Sequence, residues 1–121
     1  EEEFVNSIQL EIKTDKETKR VIGTISANTQ PRIVKIDSYY AEISPIGEMI
    51  VIQNWDRPGI IGNLGTLLGK HKINIASMTF GREKPGGKAV TVLNVDSPIS
   101  AEIQDKIKKT ENILSVKVIK L

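Results

Sequence analysis

The densest group of residues able to do chemistry is the segment Asn54-Trp55-Asp56-Arg57-Pro58-Gly59. It lies between an apolar run and a helical pattern, where the free N–H groups of a helix start would attract a carboxylate or a phosphate. Asp56 offers an acceptor for an ammonium group, and Asn54 adds a donor and an acceptor. These groups together fit a zwitterion such as a small free amino acid. The alternative is that Asp56 only caps the helix.

Two further residues near this segment have more than one interpretation. Asn74 lies between Ile73 and Ile75, where the helix would give way to the next strand. An Asn after a helix is more often a C-terminal cap or turn residue than a ligand. Trp55 either anchors an interface, where aromatic residues are enriched, or covers the sheet edge. The residues alone leave both questions open.

Catalysis and metal binding find little support in the residue types. The 121 residues include no Cys and a single His, His71, which excludes disulfides, thiolate metal sites and Cys nucleophiles. No serine stands at a nucleophile elbow, no His and carboxylate cluster has metal-ligand spacing, and the glycines lack dinucleotide-binding spacing. We therefore predict no catalytic residue, no metal and no cofactor in this part of the protein.

Charge and composition limit the classes of binding partner that the chain could have. The net charge is +2, from 17 Lys and Arg against 15 Asp and Glu, and the lysines are dispersed, so no nucleic-acid surface is predicted. The longest apolar stretch, Met49–Ile52, is too short to span a membrane, and the acidic start is unlike a signal peptide. We expect a cytoplasmic protein. Because the first residue is Glu, we also expect a piece of a longer protein.

The elements that position these residues fall into two patterns. In residues 1–47 apolar residues alternate with polar ones, which predicts a mostly β unit. Its predicted strands are Ile8–Ile12, Val21–Ile25, Ile33–Ile36 and Tyr39–Ile43, and Gly23 either weakens the second strand or marks a bulge.

From residue 48 onwards strands alternate with helical patterns, in the order βαββαβ. The predicted strands are Met49–Gln53, Ile73–Phe80, Ala89–Val95 and Leu114–Val118. Pro58 is predicted as the first residue of helix one, and Ser100 as the cap of helix two. This order predicts an α+β fold with a ferredoxin-like arrangement over residues 48–121.

Three glycines, Gly62, Gly65 and Gly69, fall on roughly one side of the first predicted helix. Each costs up to about 1 kcal/mol relative to Ala in a helix, so a close backbone approach is expected to compensate. That approach is either tight packing on the sheet or contact with a ligand near Gly62.

The segment NWDRPGIIGNLGTLLGKHKINIASM resembles the ACT domain family, small-molecule sensors of amino-acid metabolism. The preceding PRIVKIDSYYAEISPIGEM is similar to the end of the allosteric substrate-binding domain in the long forms of the D-3-phosphoglycerate dehydrogenase family. Residues 1–47 are therefore interpreted as the C-terminal part of such a domain, and residues 48–121 as an ACT domain.

The resemblance implies feedback control of serine biosynthesis. L-serine would bind between two ACT domains of a homodimer, or of a higher oligomer, and lower the activity of distant NAD-dependent catalytic domains in the parent chain. By matching positions, the effector-binding residues are Asn54, Asp56 and Asn74, and we place Ile60, Ile61 and Gly62 in the same site. In the upstream domain, Arg32 and Lys35 are the candidates for an anion-binding site.

Two other functions stay open at this stage. One is the regulatory portion of an iron–sulfur L-serine dehydratase, which carries a similar pair of domains. The other is an ACT module that serves only in oligomerisation, in which Asp56 would be a helix cap.

Overall fold

The computed structural model describes residues 7–13, 18–25, 31–36, 39–44, 47–82 and 84–120. The chain divides into two compact units, Glu1–Pro45 and Ile46–Leu121, and each contains a four-stranded sheet. Among the described residues, no helix has both the length and the apolar character that crossing a membrane requires.

The first unit is an antiparallel sheet of four consecutive strands in the order β1-β2-β3-β4. These are β1 (Ser7–Lys13), β2 (Thr18–Ile25), β3 (Pro31–Ile36) and β4 (Tyr39–Ile43). All four predicted strands are present. The register between β2 and β3 shifts between Ile22 and Gly23, which confirms the bulge. The sequence also predicts turns at residues 14–16 and 37–38, where Asp and Ser interrupt the alternation; these residues lie outside the described part of the structure.

The second unit has the predicted βαββαβ order. Its elements are β5 (Glu48–Trp55), α1 (Ile60–Lys70), β6 (Ile75–Arg82), β7 (Lys88–Val95), α2 (Ala101–Lys108) and β8 (Ile113–Lys120). The strands form an antiparallel sheet in the order β6-β7-β5-β8. The α+β ferredoxin-like prediction is confirmed.

Both helices of the second unit pack on one hydrophobic cluster. Ile52 of β5, Leu64 and Leu68 of α1, and Ile107 of α2 are fully buried in it. Burial of each such aliphatic side chain stabilises the fold by about 1.5–3 kcal/mol. Ser100 caps α2 as predicted, since its Oγ accepts a hydrogen bond from the Ile103 N–H at 3.2 Å. The cluster fixes α1 relative to the sheet and thereby places the loop that precedes α1.

The helix α1 starts two residues later than the sequence predicted. Pro58 is not its first residue, because the chain makes a left-handed turn at Gly59 (φ 94°), which is the N-cap. Glycine adopts this conformation without the steric cost that a Cβ imposes. The Asn63 N–H then donates to the Gly59 carbonyl at 2.9 Å. The tight turn at Gly59 takes the chain from β5 into α1.

The three glycines of α1 do not pack against the sheet. A Cβ built at Gly62, Gly65 or Gly69 would meet no atom within 4 Å outside the local helix backbone. Among the described residues, tight packing on the sheet therefore does not explain why α1 carries three glycines. The side of α1 that carries these glycines is open.

Candidate functional site

A pocket of about 230 Å³ opens where β5 ends and α1 begins. Its polar residues come from the end of β5, the following loop and the end of β6, and its apolar residues come from α1, β6 and β7. The lining residues are Asn54, Asp56, Arg57, Ile60, Ile61, Phe80, Arg82 and Ala89. Four of the six predicted effector residues, Asn54, Asp56, Ile60 and Ile61, are among them.

Asn54 forms the inner polar surface of the pocket and is only 3% exposed. Its Oδ1 accepts a hydrogen bond from the buried Thr91 hydroxyl at 2.9 Å, and its Nδ2 donates to the Trp55 carbonyl at 3.0 Å. An amide has two N–H donors, so one donor of Asn54 is left for a ligand. The internal bonds hold that donor in a fixed direction.

Asp56 is the acidic residue of the pocket. Its Oδ2 accepts from the Arg82 guanidinium at 2.6 Å and from the Gly86 N–H at 3.2 Å. The start of α1 has Gly59 as its N-cap and receives no side-chain hydrogen bond. The alternative that Asp56 caps the helix is therefore wrong.

These contacts set the charge of Asp56. The hydrogen bond from Arg82 is the largest influence that lowers the pKa of the carboxyl below its usual range, followed by the bond from the Gly86 N–H. The positive charges of Arg82 and Arg57 act in the same direction, and partial burial opposes them. Each favourable contact stabilises the ionised form. Asp56 is thus a carboxylate at neutral pH and can accept an ammonium group.

The loop that carries Asp56 is tied to the turn between β6 and β7. The Arg57 Nη1 donates to the Gly86 carbonyl, and the Asp56 N–H donates to the Gly87 carbonyl at 2.8 Å. Gly86 has a left-handed φ of 77°, which suits glycine. The position of Asp56 therefore depends on the conformation of this turn.

Trp55 lies between two cations. The Arg57 guanidinium and the Lys88 ammonium are each 5.9 Å from the Trp55 ring centroid, within the range of a cation–π interaction. The half-buried ring is thus held at the end of the strand. Its role as an interface anchor stays a prediction.

Two large apolar side chains of the pocket are unusually exposed. Ile61 of α1 is 50% exposed and Phe80 of β6 is 46% exposed. Phe80 lies on an edge strand of the second unit's sheet, and Ile61 lies across the pocket on α1. The pocket is therefore an open site with an uncovered apolar rim.

Asn74 and Gly62 are not among the lining residues. Asn74 follows the C-terminal end of α1, whereas the pocket lies at its N-terminal end, and 11 residues of helix span about 16 Å. The C-cap of α1 is His71, so the capping alternative for Asn74 is wrong. The Asn74 Nδ2 donates to Asp96 Oδ2 at 2.7 Å, which links the start of β6 to the end of β7. One copy of the chain does not bring Asn74 to Asp56.

The candidate anion residues lie in the first unit. Arg32 and Lys35 are on β3, with backbone positions opposite Thr24 and Ile22 of β2. Their side chains lie outside the described part of the structure. The anion site stays a prediction.

Arg82 lines the pocket but is not among the site residues predicted from the sequence. The second strand of the ACT-like unit was predicted to end at Phe80, but β6 continues to Arg82. The signal was present, because Met78, Phe80 and Arg82 continue the period-two pattern of a strand face. Following that pattern for one more repeat would have extended the predicted strand to Arg82, although its contact with Asp56 depends on the fold.

Comparison with known proteins identifies the family. The model for the family described as "ACT domain" matches residues 49–112, which cover β5 to α2. The chain belongs to the ACT domain family. The pocket thus lies in the first strand-to-helix junction of an ACT domain.

The curated relatives are D-3-phosphoglycerate dehydrogenases. The protein of Methanocaldococcus jannaschii is 40% identical over 121 residues, which is 100% of this chain and 23% of the relative. The protein of Bacillus subtilis is 34% identical over 118 residues, 98% of this chain and 22% of the relative. That of Archaeoglobus fulgidus is 34% identical over 122 residues, 99% and 23% respectively. The chain thus spans less than a quarter of these relatives, at their C-terminal ends.

Proposed function

We propose that this chain is the amino-acid-sensing regulatory region of a D-3-phosphoglycerate dehydrogenase. In this proposal L-serine binds between two ACT domains and controls distant NAD-dependent catalytic domains by feedback. The ACT family membership and the match to the C-terminal ends of the dehydrogenases support it. Residues 1–47 would be the C-terminal part of an allosteric substrate-binding domain.

The observation that carries the proposal is the ionised Asp56 in an open pocket at a strand-to-helix junction. Its side chain is 32% exposed, so a ligand can reach it without unfolding the site. The ammonium group of L-serine would bind Asp56, and the remaining N–H donor of Asn54 would lie nearby. Charge-assisted hydrogen bonds of this kind are roughly twice as strong as neutral ones.

A second copy of the chain would complete the site. In the described sheet β6 is an edge strand, and an edge strand is a template for pairing. If two β6 strands pair antiparallel about a two-fold axis, the start of one strand lies near the end of the other. Asn74 of one copy would then approach the pocket of its partner, and the open face of α1 would lie at the same interface.

Isothermal titration calorimetry with L-serine tests this function. The dimeric chain should release or absorb heat with L-serine, and Asp56→Ala should abolish it, because the ammonium then loses its carboxylate. Asn74→Ala should weaken binding as well. The control is Asp105→Ala, which removes the same charge from α2, at an exposed position ion-paired with Lys109, and should bind as the unaltered chain does. A dimeric sample that binds no L-serine at millimolar concentration would contradict the proposal and leave an oligomerisation role.

A further inference from the structure

The pocket holds two opposite charges side by side. The Arg82 Nη1 and the Asp56 Oδ2 are 2.6 Å apart, yet the side chains remain 54% and 32% exposed. An ion pair at this exposure contributes little to stability, because water and salt screen its two charges. Its position in the pocket lining is therefore more informative than its contribution to the fold.

The pair leaves part of its bonding capacity unused. Among the described residues, no hydrogen bond reaches Asp56 Oδ1 or the Nη2 and Nε of Arg82. A carboxylate accepts at both oxygens, and a guanidinium carries N–H groups on three nitrogens. The pair can therefore accept one more cation on its acidic side and one more anion on its basic side.

An α-amino acid presents the matching pair of charges. Its ammonium and carboxylate groups are both attached to the α-carbon. The two groups are therefore close enough to bind an acid and a base that lie in contact with each other. We propose that Arg82 binds the α-carboxylate of the amino-acid ligand while Asp56 binds its α-ammonium. This inference rests on the proposed amino-acid-binding function and names the second half of its head-group recognition.

The other basic residue of the pocket is committed elsewhere. The Arg57 Nη1 donates to the Gly86 carbonyl, and its guanidinium lies over the Trp55 ring. Among the described residues, the Arg82 side chain has Asp56 as its hydrogen-bond and ion-pair partner. Arg57 also keeps unbonded donors, but its guanidinium is held at the Trp55 ring and the Gly86 carbonyl. Arg82 is thus the pocket cation that is hydrogen-bonded to the ammonium acceptor Asp56.

The arrangement selects against ligands that carry only one of the two charges. An amine without a carboxylate would gain Asp56 but would lie beside the unneutralised Arg82 guanidinium. A carboxylic acid without an amine would meet the reverse repulsion from Asp56. The zwitterion satisfies both groups, while its side chain can lie against the apolar Ile60, Phe80 and Ala89.

The test is calorimetry on the 121-residue chain with glycine, L-alanine, L-serine and ethanolamine, which is L-serine without its carboxylate. L-serine should bind at least tenfold more tightly than ethanolamine. Arg82→Gln should lower the affinity for the amino acid by about 10- to 100-fold. Arg82→Lys keeps the charge but loses the planar guanidinium, so its affinity for L-serine should lie between those of the unaltered chain and Arg82→Gln. Lys108→Gln removes one positive charge from an exposed position of α2, a helix that contributes no residue to the pocket lining, and should change the affinity by less than about threefold.

Each outcome of the calorimetry has one interpretation. If L-serine binds Arg82→Gln as tightly as the unaltered chain, the carboxylate binds elsewhere; the inference is overturned and the proposed function stands. If L-serine does not bind, but glycine or L-alanine binds and its binding is weakened by Arg82→Gln, the inference is supported and the proposal of L-serine as the ligand is overturned. If no amino acid binds, both are overturned. Should Arg82→Gln fail to fold by circular dichroism, Arg82→Lys and the comparison of L-serine with ethanolamine decide: equal affinities for the two ligands would overturn the inference.

Discussion

The Thr91 hydroxyl donates a 2.9 Å hydrogen bond to Asn54 Oδ1, and the two residues are 0% and 3% exposed. This bond between β7 and β5 fixes which end of the Asn54 amide faces the Trp55 carbonyl. A core strand thereby determines the direction of a polar group in the pocket. The ligand pocket and the sheet interior are coupled through this single pair.

Removal of the Thr91 hydroxyl should destabilise the fold. In Thr91→Val the shape is kept but the buried Asn54 Oδ1 loses its donor, and an unpaired buried group costs about 1–3 kcal/mol. Thr91→Ser is the matched control, because it keeps the donor and loses only one methyl, which costs about 1 kcal/mol. Urea unfolding followed by circular dichroism measures both. A Val variant as stable as the unaltered chain would show that the bond contributes nothing.

The Asp56 pKa should rise when Arg82 is neutralised. Arg82 is the largest cause of the lowered pKa and Arg57 the smallest named one, so Arg82→Gln should raise the pKa towards its ordinary value and Arg57→Gln should raise it less. A carboxyl with a lowered folded-state pKa stabilises the fold above its unfolded pKa, and this contribution is lost as pH falls through the folded value. Ligand affinity should follow the same direction and weaken in acid. Carbon-detected NMR titration of the Asp56 carboxyl gives the pKa values; a larger rise in Arg57→Gln would contradict this assignment.

Two glycines of the junction should respond oppositely to alanine. At Gly59 the left-handed φ of 94° strains any residue with a Cβ by about 1–2 kcal/mol, so Gly59→Ala should lower stability. At Gly62 a Cβ meets open space, and Gly62→Ala should raise stability by up to about 1 kcal/mol through helix propensity. Thermal unfolding of both variants at low concentration, where association is weak, measures the difference. Equal effects would mean that the turn at Gly59 is not under conformational constraint.

The order of elements could be predicted because each depends on local patterns. Alternating apolar residues predict most of the strands, and the near-continuous apolar run Met49–Gln53 predicts β5. Apolar residues at helical spacing predict the first helix, and three of them, Ile60, Leu64 and Leu68, are buried. The start of α1 could not be placed, because Pro58 suits a first helical position and only the path from β5 shows that the turn falls at Gly59. Strong local preferences can thus be overridden by the direction in which a chain must leave a sheet.

The site was predictable only in part. The acceptor Asp56 was visible as a polar residue between two apolar patterns, but its partner Arg82 is 26 residues away in sequence and meets it across the sheet. Pairing of this kind depends on strand order and register, which single-sequence patterns do not contain. For the same reason, the separation of Asn74 from the pocket became apparent only with the fold.

The predicted anion site of the first unit should bind inorganic phosphate. If Arg32 and Lys35 form it, Arg32→Gln combined with Lys35→Gln should weaken phosphate binding at least tenfold, since each charge-assisted hydrogen bond contributes about 1.5–3 kcal/mol. Lys70→Gln combined with Lys108→Gln removes the same charge from the two helices of the second unit and serves as the control. Phosphate titration monitored by NMR amide shifts measures the affinity. Equal weakening in both double variants would indicate a general effect of net charge.

The edge formed by α1 and β6 should be the self-association surface. Ile61, at 50% exposure, is expected to be covered by the partner, so Ile61→Lys should shift a dimer towards monomer while costing the isolated chain little. Leu114→Lys places the same charge at a residue that is 41% exposed on β8, the other edge strand, and should leave the dimer intact. Sedimentation equilibrium over a range of concentrations distinguishes the two variants. Dissociation by Leu114→Lys but not by Ile61→Lys would move the interface to β8 and would leave Asn74 of one copy far from the pocket of the next, because only pairing through β6 brings them together.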